Sequence, residues 1–444
     1  MKNPLKVKAL LFCLFYFFIG TAYSQHNDAF RIASQVSCYS RLDMSTTTKK
    51  IESGTSIITP EFSIYGSNWN AEGALRIVQD SFSPPLIELS RAIFSIDIQS
   101  WQYQMGFGYK EDDSCLYFSN TAYFSPPKQP ESVFNVDYIN QSHEVFVSLA
   151  YHKGPYKVQL TSTPFEPVYP VQGQTASLFQ TRYIQDPYEF FNFGVTNPYS
   201  LSDIVWSYLP EIHSNFWNPS FELSLSYEDS PIRSKLFLFY GPDRSPALTN
   251  QLVFSATAST YTLYRTYTAN RIGALGINFE YAGDYDKMYS NVSFVYNRLF
   301  ATKSVYLITP GDWQETAMIP QLQYTIGFIK YFADSRWSLR SEYRNSVYFH
   351  SDETIAYPFL HRALFASLDW EIIAKKFKNS VNYLYSLQDG SFVVGDAITM
   401  YVNPQYSCTF KIIIPGGAQR SELGQYNKNH IVMVGLYFTI TQTS

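Results

Sequence analysis

The chain has 444 residues, 45% of them hydrophobic, and a net charge of −4. Charged residues make up only 16% of it, whereas aromatic residues reach 18%, with 37 Tyr and 35 Phe. An ordinary soluble domain carries roughly 25% charged residues. The sequence has neither a basic stripe nor an acidic tail, so we do not expect it to bind nucleic acid.

The first 24 residues have the pattern of a secretory signal peptide. Lysines within the first eight residues precede an apolar run at 9–19, and the small residues Ala22 and Ser24 come just before Gln25. The apolar run is too short to span a bilayer stably, and no later run reaches about 18 apolar residues. We therefore expect cleavage after residue 24 and an exported chain from 25 to 444 without a membrane helix.

Alternation with a period of two begins clearly at residues 101–109. The odd positions hold Trp, Tyr, Met, Phe and Tyr, and the even positions hold Gln and Gly. Successive side chains of a strand point to opposite faces, so this segment has one aromatic, apolar face and one small, polar face. Similar alternation at 144–151 and 156–161, joined by a turn at 152–155, predicts a hairpin.

The same alternation continues to the end of the chain. It recurs at 221–227, 274–281, 321–328, 339–347, 364–372, 381–387 and 430–440. Spans of about 9 to 11 residues fit tilted strands that cross a hydrocarbon layer, and Tyr and Trp favour its interfaces. We predict an all-β fold: a single transmembrane, antiparallel, up-and-down β-barrel of about 16 strands, within a range of about 14 to 18. A secreted β-sandwich is the alternative, because its strands also have one dry and one wet face.

Two segments interrupt the alternation. Residues 164–219 are rich in Pro, Tyr, Phe and Asn, and residues 125–141 contain three prolines. Long loops inside a compact domain are usually functional. The longer segment is expected either to fold into the barrel as a constriction or to cover its mouth from outside. A plain surface loop with one or two irregular strands is the alternative.

The sequence contains no recognisable catalytic or metal-binding motif. The Gly-x-Ser-x-Gly, His-Glu-x-x-His and phosphate-loop patterns are absent. His143 and Glu144 are neighbours on a predicted strand, so they point to opposite faces and cannot share a metal. The cysteines after the signal peptide, Cys38, Cys115 and Cys408, are too scattered for a disulfide framework or a zinc site. We predict no enzymatic activity and no cofactor.

The polar faces of the strands are expected to line an aqueous lumen, because a barrel of about 16 to 18 strands leaves a channel. Nine charged residues on these faces are candidate lumen-lining residues: Arg340, Glu342, Arg344, Asp369, Glu371, Glu280, Glu222, Glu144 and Lys157. Both signs are interleaved with neutral polar residues, which predicts a weakly selective path for small polar solutes. Alternatively, the charges on 340–344 pair with neighbouring strands and brace the barrel.

Several segments near the C-terminus resemble a known family. Residues 387–391 (Leu-Gln-Asp-Gly-Ser), 412–417 (Ile-Ile-Ile-Pro-Gly-Gly) and 421–424 (Ser-Glu-Leu-Gly) are similar to the closing strands of porin-like outer-membrane proteins of Gram-negative and spirochaete type, and 86–109 looks like their early hairpin. The resemblance implies passive diffusion across the bacterial outer membrane. The partners it implies are outer-membrane lipid, the barrel-assembly machinery and small polar solutes. Homo-oligomerisation is common among porins, and the sequence leaves it open.

Two other functions remain open from the sequence. A fatty-acid-type transporter of hydrophobic substrates would need an N-terminal hatch inside the barrel, but 30–39 already has the pattern of a strand. A surface adhesin or structural barrel would use 164–219 as its binding face and have a plugged lumen.

Overall fold

The fold was obtained as a computed structural model. It describes residues 29–43, 51–80, 86–108, 144–164, 201–208, 219–243, 247–257, 260–268, 270–302, 315–332, 336–349, 355, 360–374, 376–403, 406–418, 421, 423–424 and 431–443. The predicted signal peptide, the segment 125–141 and most of 164–219 lie outside the described residues. Within the described residues, no helix is long and apolar enough to cross a membrane.

The described residues form 23 strands. They are β1 (Ala29–Asp43), β2 (Ile51–Tyr65), β3 (Trp69–Asp80), β4 (Leu86–Ile98), β5 (Trp101–Gly108), β6 (Glu144–Lys153), β7 (Tyr156–Thr163), β8 (Leu201–Tyr208), β9 (Ser220–Asp229), β10 (Ile232–Pro242), β11 (Ala247–Ser255), β12 (Thr260–Thr268), β13 (Arg271–Ala282), β14 (Asp286–Tyr296), β15 (Leu299–Ala301), β16 (Thr316–Met318), β17 (Gln321–Phe332), β18 (Trp337–Tyr348), β19 (Ala363–Ile373), β20 (Phe377–Ser386), β21 (Phe392–Asn403), β22 (Tyr406–Gly416) and β23 (Ile431–Thr443).

Eighteen of these strands form one closed antiparallel sheet. Each strand of the sheet pairs with the next one along the chain, and the first strand, β1, pairs with both β2 and the last strand, β23. Closure removes the exposed edges that an open sheet would present. The prediction of an up-and-down barrel is confirmed, and the 18 described strands of the barrel lie at the upper end of the predicted range.

The alternation of the sequence separates the two faces of the sheet. On β9, Leu223 and Leu225 are each 48% exposed, whereas Glu222 is 1% exposed and Ser224 is 2% exposed. The concave inner side of a closed sheet is the less accessible one, so the apolar side chains face outward and the polar ones face inward. The same division holds on β13, where Ile277 is exposed.

The two ends of the barrel differ in the length of their connections. At one end, strands are joined by short turns, and β1 begins and β23 ends there, since Arg31 pairs with Thr443. The described short turns lie at 66–68, 99–100, 154–155, 230–231 and 283–285. We call this the short-turn end, and we call the opposite end, which carries the long connections, the long-loop end.

Five further strands lie in the connections of the long-loop end. β11 and β12 form a hairpin between β10 and β13, and β8 pairs with β12 in parallel. β8 belongs to the predicted long segment 164–219 and stands outside the barrel sheet. β15 and β16 form a small ribbon between β14 and β17. Phe300 of this ribbon meets the ring of Tyr348, at the end of β18, edge-on at 5.2 Å between ring centroids.

Two groups of polar contacts stabilise the long-loop end. Arg298, just after β14, donates to both carboxylate oxygens of Asp243, just after β10, at 2.9 and 3.1 Å, and to Gln321 at 3.1 Å. The Ser391 hydroxyl donates to Asp389 at 2.6 Å and accepts from the Leu423 amide at 3.0 Å. Two C-terminal motifs that are separate in the sequence, 387–391 and 421–424, therefore meet in the structure.

Inside the barrel, an aromatic ring covers a glycine on the next strand. The Tyr289 ring of β14 lies directly over Gly327 of β17, where a Cβ would overlap the ring atoms. Its hydroxyl continues past Gly327 and donates to Glu342 of β18 at 2.6 Å. The missing side chain at 327 is therefore what lets Tyr289 reach across two strand boundaries.

We predict that Gly327→Ala destabilises the barrel by about 1–3 kcal/mol, because the added methyl group overpacks against Tyr289. The measurement is the melting temperature of the refolded protein, taken as the temperature at which the faster-migrating folded band on gel electrophoresis is replaced by the slower unfolded band. Gly273→Ala is the matched control, since a Cβ there has no heavy atom within 4 Å. Equal melting of the two variants would contradict the packing role of Gly327.

Candidate functional site

The inner wall of the barrel gathers the polar residues that alternation places on one face. Side chains at the same register on neighbouring strands form rows, one of which contains Glu280, Tyr289, Gly327 and Glu342 on four consecutive strands of the sheet. Because rows run across the strands, residues far apart in the sequence become neighbours on the wall.

The predicted lumen-lining residues occupy this wall in three ways. The side chains of Glu222, Glu280, Glu342 and Asp369 are buried. Those of Arg340, Arg344 and Lys157 are half-buried, and that of Glu371 is exposed. Glu144 begins β6, and its side chain lies outside the described residues. Four of the predicted carboxylates are therefore buried in the wall, whereas Glu371, close to the short-turn end, is exposed.

One group of ion pairs lies on β9 to β14. The Lys235 ammonium group donates to Glu222 at 2.8 Å, and both side chains are largely buried. Glu280 is 2.9 Å from Lys287 and 4.0 Å from Arg233, so two cations share one carboxylate. Each of these pairs crosses from one strand to its neighbour and therefore braces the sheet.

A second group lies on β18 to β20. Asp369 is 3.5 Å from Arg340 and 3.9 Å from Lys378, and it also accepts from Ser338 at 3.4 Å and from Ser380. Of the alternatives raised by the sequence, cross-strand bracing is thus observed for Arg340. Glu342 instead accepts the hydrogen bond from the Tyr289 hydroxyl.

Several residues of these networks were missed by the sequence analysis. They are Arg233, Lys235, Lys287, Tyr289 and Lys378. All lie on β10, β14 or β20, where the same period of two places them inward, so a search of every alternating face for polar side chains would have found them. Which residues they pair with depends on the register between neighbouring strands, which the alternation does not give.

The wall along β3 to β5 is partly accessible. Arg91 and Glu72 form an ion pair at 2.5 Å, with side chains 43% and 24% exposed. Gln102 and Gln104 on β5 are half-buried and point to the same side. This part of the inner face therefore presents both charged and neutral polar groups to the inside of the barrel.

One inward patch is apolar and closed. Phe237, Phe239, Ile272, Ala274 and Val295 pack together, and each is at most 5% exposed. Because these side chains cover one another, they leave little apolar surface for a ligand.

Among the described residues, no group of His, Cys, Asp and Glu side chains could hold a metal ion, and Cys408 is a free thiol.

His361 lies just before β19 at the long-loop end, next to the ring of Tyr348. Its pKa is lowered from 6.5 to about 4, chiefly because burial disfavours the charged imidazolium and further because Arg362 and Arg344 are nearby cations. A hydrogen bond with Gln388 acts in the opposite direction. The folded state thus holds His361 neutral.

No protein-family model matches the chain, and no curated protein is similar to it. Among solved structures, it is similar to Salmonella typhi OmpF in complex with daunomycin, with 8% identity over 93% of this chain and 97% of that one, and a TM-score of 0.46. It is also similar to Pseudomonas aeruginosa OpdL, with 6% identity over 94% and 99% and a TM-score of 0.49. A mutant of the Rh. blastica porin has 8% identity over 93% and 100%, with a TM-score of 0.40.

We predict that Lys235→Met costs about 3–5 kcal/mol of unfolding free energy, because it leaves the buried Glu222 carboxylate without its ammonium partner. Glu222→Gln combined with Lys235→Met should recover most of the loss. Urea titration of the refolded protein gives the free energies. As a control, Lys330→Met breaks the exposed pair with Asp286 and should cost about 1 kcal/mol or less. A double variant as unstable as Lys235→Met alone would refute the pairing.

We also predict a pH dependence that comes from His361. Its folded pKa lies below the ordinary value of 6.5, so its contribution to stability is complete above about pH 6.5 and is lost as the pH falls toward about 4. The melting temperature of His361→Gln should fall less over this interval than that of the original protein. His152→Gln removes an exposed histidine at a short turn and is the control. Identical pH profiles for all three proteins would contradict this assignment.

Proposed function

We propose that this chain is a porin-like channel of the bacterial outer membrane, through which small polar solutes diffuse passively. The observation that carries the proposal is the partition of side chains between the two faces of a closed sheet, apolar outside and polar inside. In lipid every backbone polar group must be paired, and a closed barrel meets that requirement. A soluble sandwich would bury the face that is exposed here.

Aromatic pairs on the outer face support the membrane setting. Trp101 contacts Tyr151, with 4.9 Å between ring centroids, and Tyr156 contacts Tyr227 at 5.3 Å. Trp337 and Trp370 stack at 5.6 Å. All of these rings lie near the short turns, where an interfacial girdle of a transmembrane barrel would be. By the usual arrangement of such barrels, the short-turn end faces the periplasm and the long-loop end faces outward.

The polar inner face supports a hydrated lumen. Buried polar atoms such as the Ser346 hydroxyl and the Asn382 side-chain nitrogen have no hydrogen-bond partner among the described residues. Buried polar groups are normally satisfied by protein or by water, so we expect ordered water molecules at these atoms. The accessible wall of β3 to β5 is the natural path for a solute.

The rival functions have less support. A hydrophobic-substrate transporter needs an accessible apolar interior, but the inward apolar patch around Phe237 is covered, and β1 belongs to the barrel wall. A plugged adhesin barrel would conduct no ions.

Cleavage after residue 24, residence in the outer membrane and homo-oligomerisation are part of the proposal. N-terminal sequencing, membrane fractionation and cross-linking of the purified protein test them.

We predict stepwise ion conductance when the refolded protein is added to a planar lipid bilayer. Gln104→Trp, which adds bulk to the accessible inner wall, should lower the single-channel conductance. Met105→Trp is the matched control, because Met105 is the next residue on the same strand and is 55% exposed on the outer face. It should leave the conductance unchanged.

The absence of conductance from protein that is correctly folded, as judged by its heat-dependent gel mobility, would overturn the channel proposal. So would a mature chain that stays dissolved without detergent. Equal conductance of the Gln104→Trp and Met105→Trp variants would place the solute path elsewhere than along β5.

A further inference from the structure

Three polar side chains are linked by hydrogen bonds on the outer face of the barrel, near the long-loop end. The Asn345 side-chain nitrogen of β18 donates to the Tyr324 hydroxyl of β17 at 2.7 Å, and Arg362 Nε, just before β19, donates to the Asn345 side-chain oxygen at 3.1 Å. Tyr324 lies two residues from Ile326, which is 55% exposed on the outer face, and Asn345 is opposite Tyr324. We call these three residues the outer polar chain.

Arg362 has donors to spare at the end of the outer polar chain. A guanidinium has five N–H donors, and Arg362 is exposed. Within the part of the protein that the structure describes, it makes the Nε hydrogen bond with Asn345 and no ion pair. Asp389, in the turn after β20, instead accepts from the amide and the hydroxyl of Ser391, at 3.0 and 2.6 Å. The terminal nitrogens of Arg362 are therefore available to an anion.

Aromatic rings place the outer polar chain at the level of lipid headgroups. Tyr324 meets Tyr343 edge-on, with 6.0 Å between ring centroids, and both Tyr343 and Tyr385 are opposite Leu364 of β19. Outward tyrosines of a transmembrane barrel mark the boundary between hydrocarbon and headgroups. Arg362 lies two residues nearer the long-loop end than Leu364, so its guanidinium is on the headgroup side of this boundary.

We propose that the outer polar chain binds the phosphate group of a membrane lipid. This inference rests on the proposed membrane setting and goes beyond the proposed channel, because it assigns a site outside the lumen. A guanidinium matches two phosphate oxygens with parallel hydrogen bonds. Asn345 and Tyr324 are neutral, so they orient the guanidinium without cancelling its charge.

The surface beside the outer polar chain favours a lipid over a free anion. Val347 and Leu364, each two residues from a member of the chain, are 38% and 37% exposed on the outer face. The acyl chains of a lipid would cover these side chains while its phosphate group binds Arg362. Free phosphate would make only the polar contact.

The test is native mass spectrometry of the refolded full chain in a neutral detergent, titrated with phosphatidic acid or with diacylglycerol, which lacks the phosphate. Phosphatidic acid should bind at least about tenfold more tightly than diacylglycerol, because hydrogen bonds to charged groups are strong. Arg362→Gln should lower the affinity for phosphatidic acid by about tenfold. Arg336→Gln is the matched control, since Arg336 is an exposed arginine at the short-turn end, and it should keep the original affinity.

Asn345→Asp separates lipid binding from a purely structural role of Arg362. The variant is nearly isosteric and leaves Arg362 in place, but its carboxylate would pair with the guanidinium. The affinity for phosphatidic acid should fall about as far as in Arg362→Gln. An unchanged affinity in this folded variant would refute the site.

The remaining outcomes separate the lipid site from the channel. Equal binding of the two lipids, or equal losses in Arg362→Gln and Arg336→Gln, would refute the lipid site and leave the channel proposal standing. Displacement of phosphatidic acid by an equal concentration of inorganic phosphate would also refute it, in favour of a free-anion site. Arg362→Gln should conduct like the original protein, because Arg362 lies outside the lumen, and folded protein without conductance would overturn the channel alone.

Discussion

The structure depends on one constraint, the pairing of the first strand with the last. β1 and β23 are joined from Arg31 with Thr443 to Asp43 with Ile431, which turns an 18-stranded sheet into a barrel without edges. Closure defines an inside and an outside for every residue. A slip of one residue would turn the apolar face of a strand inward, so the alternation of the sequence and the closure of the sheet stabilise each other.

The inner wall is a packed layer of polar side chains rather than a loose lining. Tyr289 lies over Gly327 to reach Glu342, and Lys235 reaches the buried Glu222. Removing charges from water is costly unless they are paired, and the buried carboxylates Glu222, Glu280, Glu342 and Asp369 have cations or hydroxyl groups beside them. This packing narrows the space inside the barrel that the number of strands alone would leave.

The two ends of the barrel are held by different contacts. At the short-turn end, aromatic pairs such as Trp337 with Trp370 occupy the outer face, and ion pairs such as Arg340 with Asp369 occupy the inner one. At the long-loop end, the Arg298 contact with Asp243 and the Ser391 contact with Leu423 hold connections against the rim.

The sequence alone predicted the barrel and the inward side of most strands, because a period of two is local: the alternation at Glu222 and Leu223 is visible without any neighbour. It did not predict 18 strands rather than about 16, since strands such as β2, with Gly54 and Pro60, interrupt the pattern. It also did not predict that Glu280 meets both Arg233 and Lys287. Those contacts depend on the register between β10, β13 and β14, which the tertiary structure alone decided, because cross-strand neighbours are set by pairing and not by position along the chain.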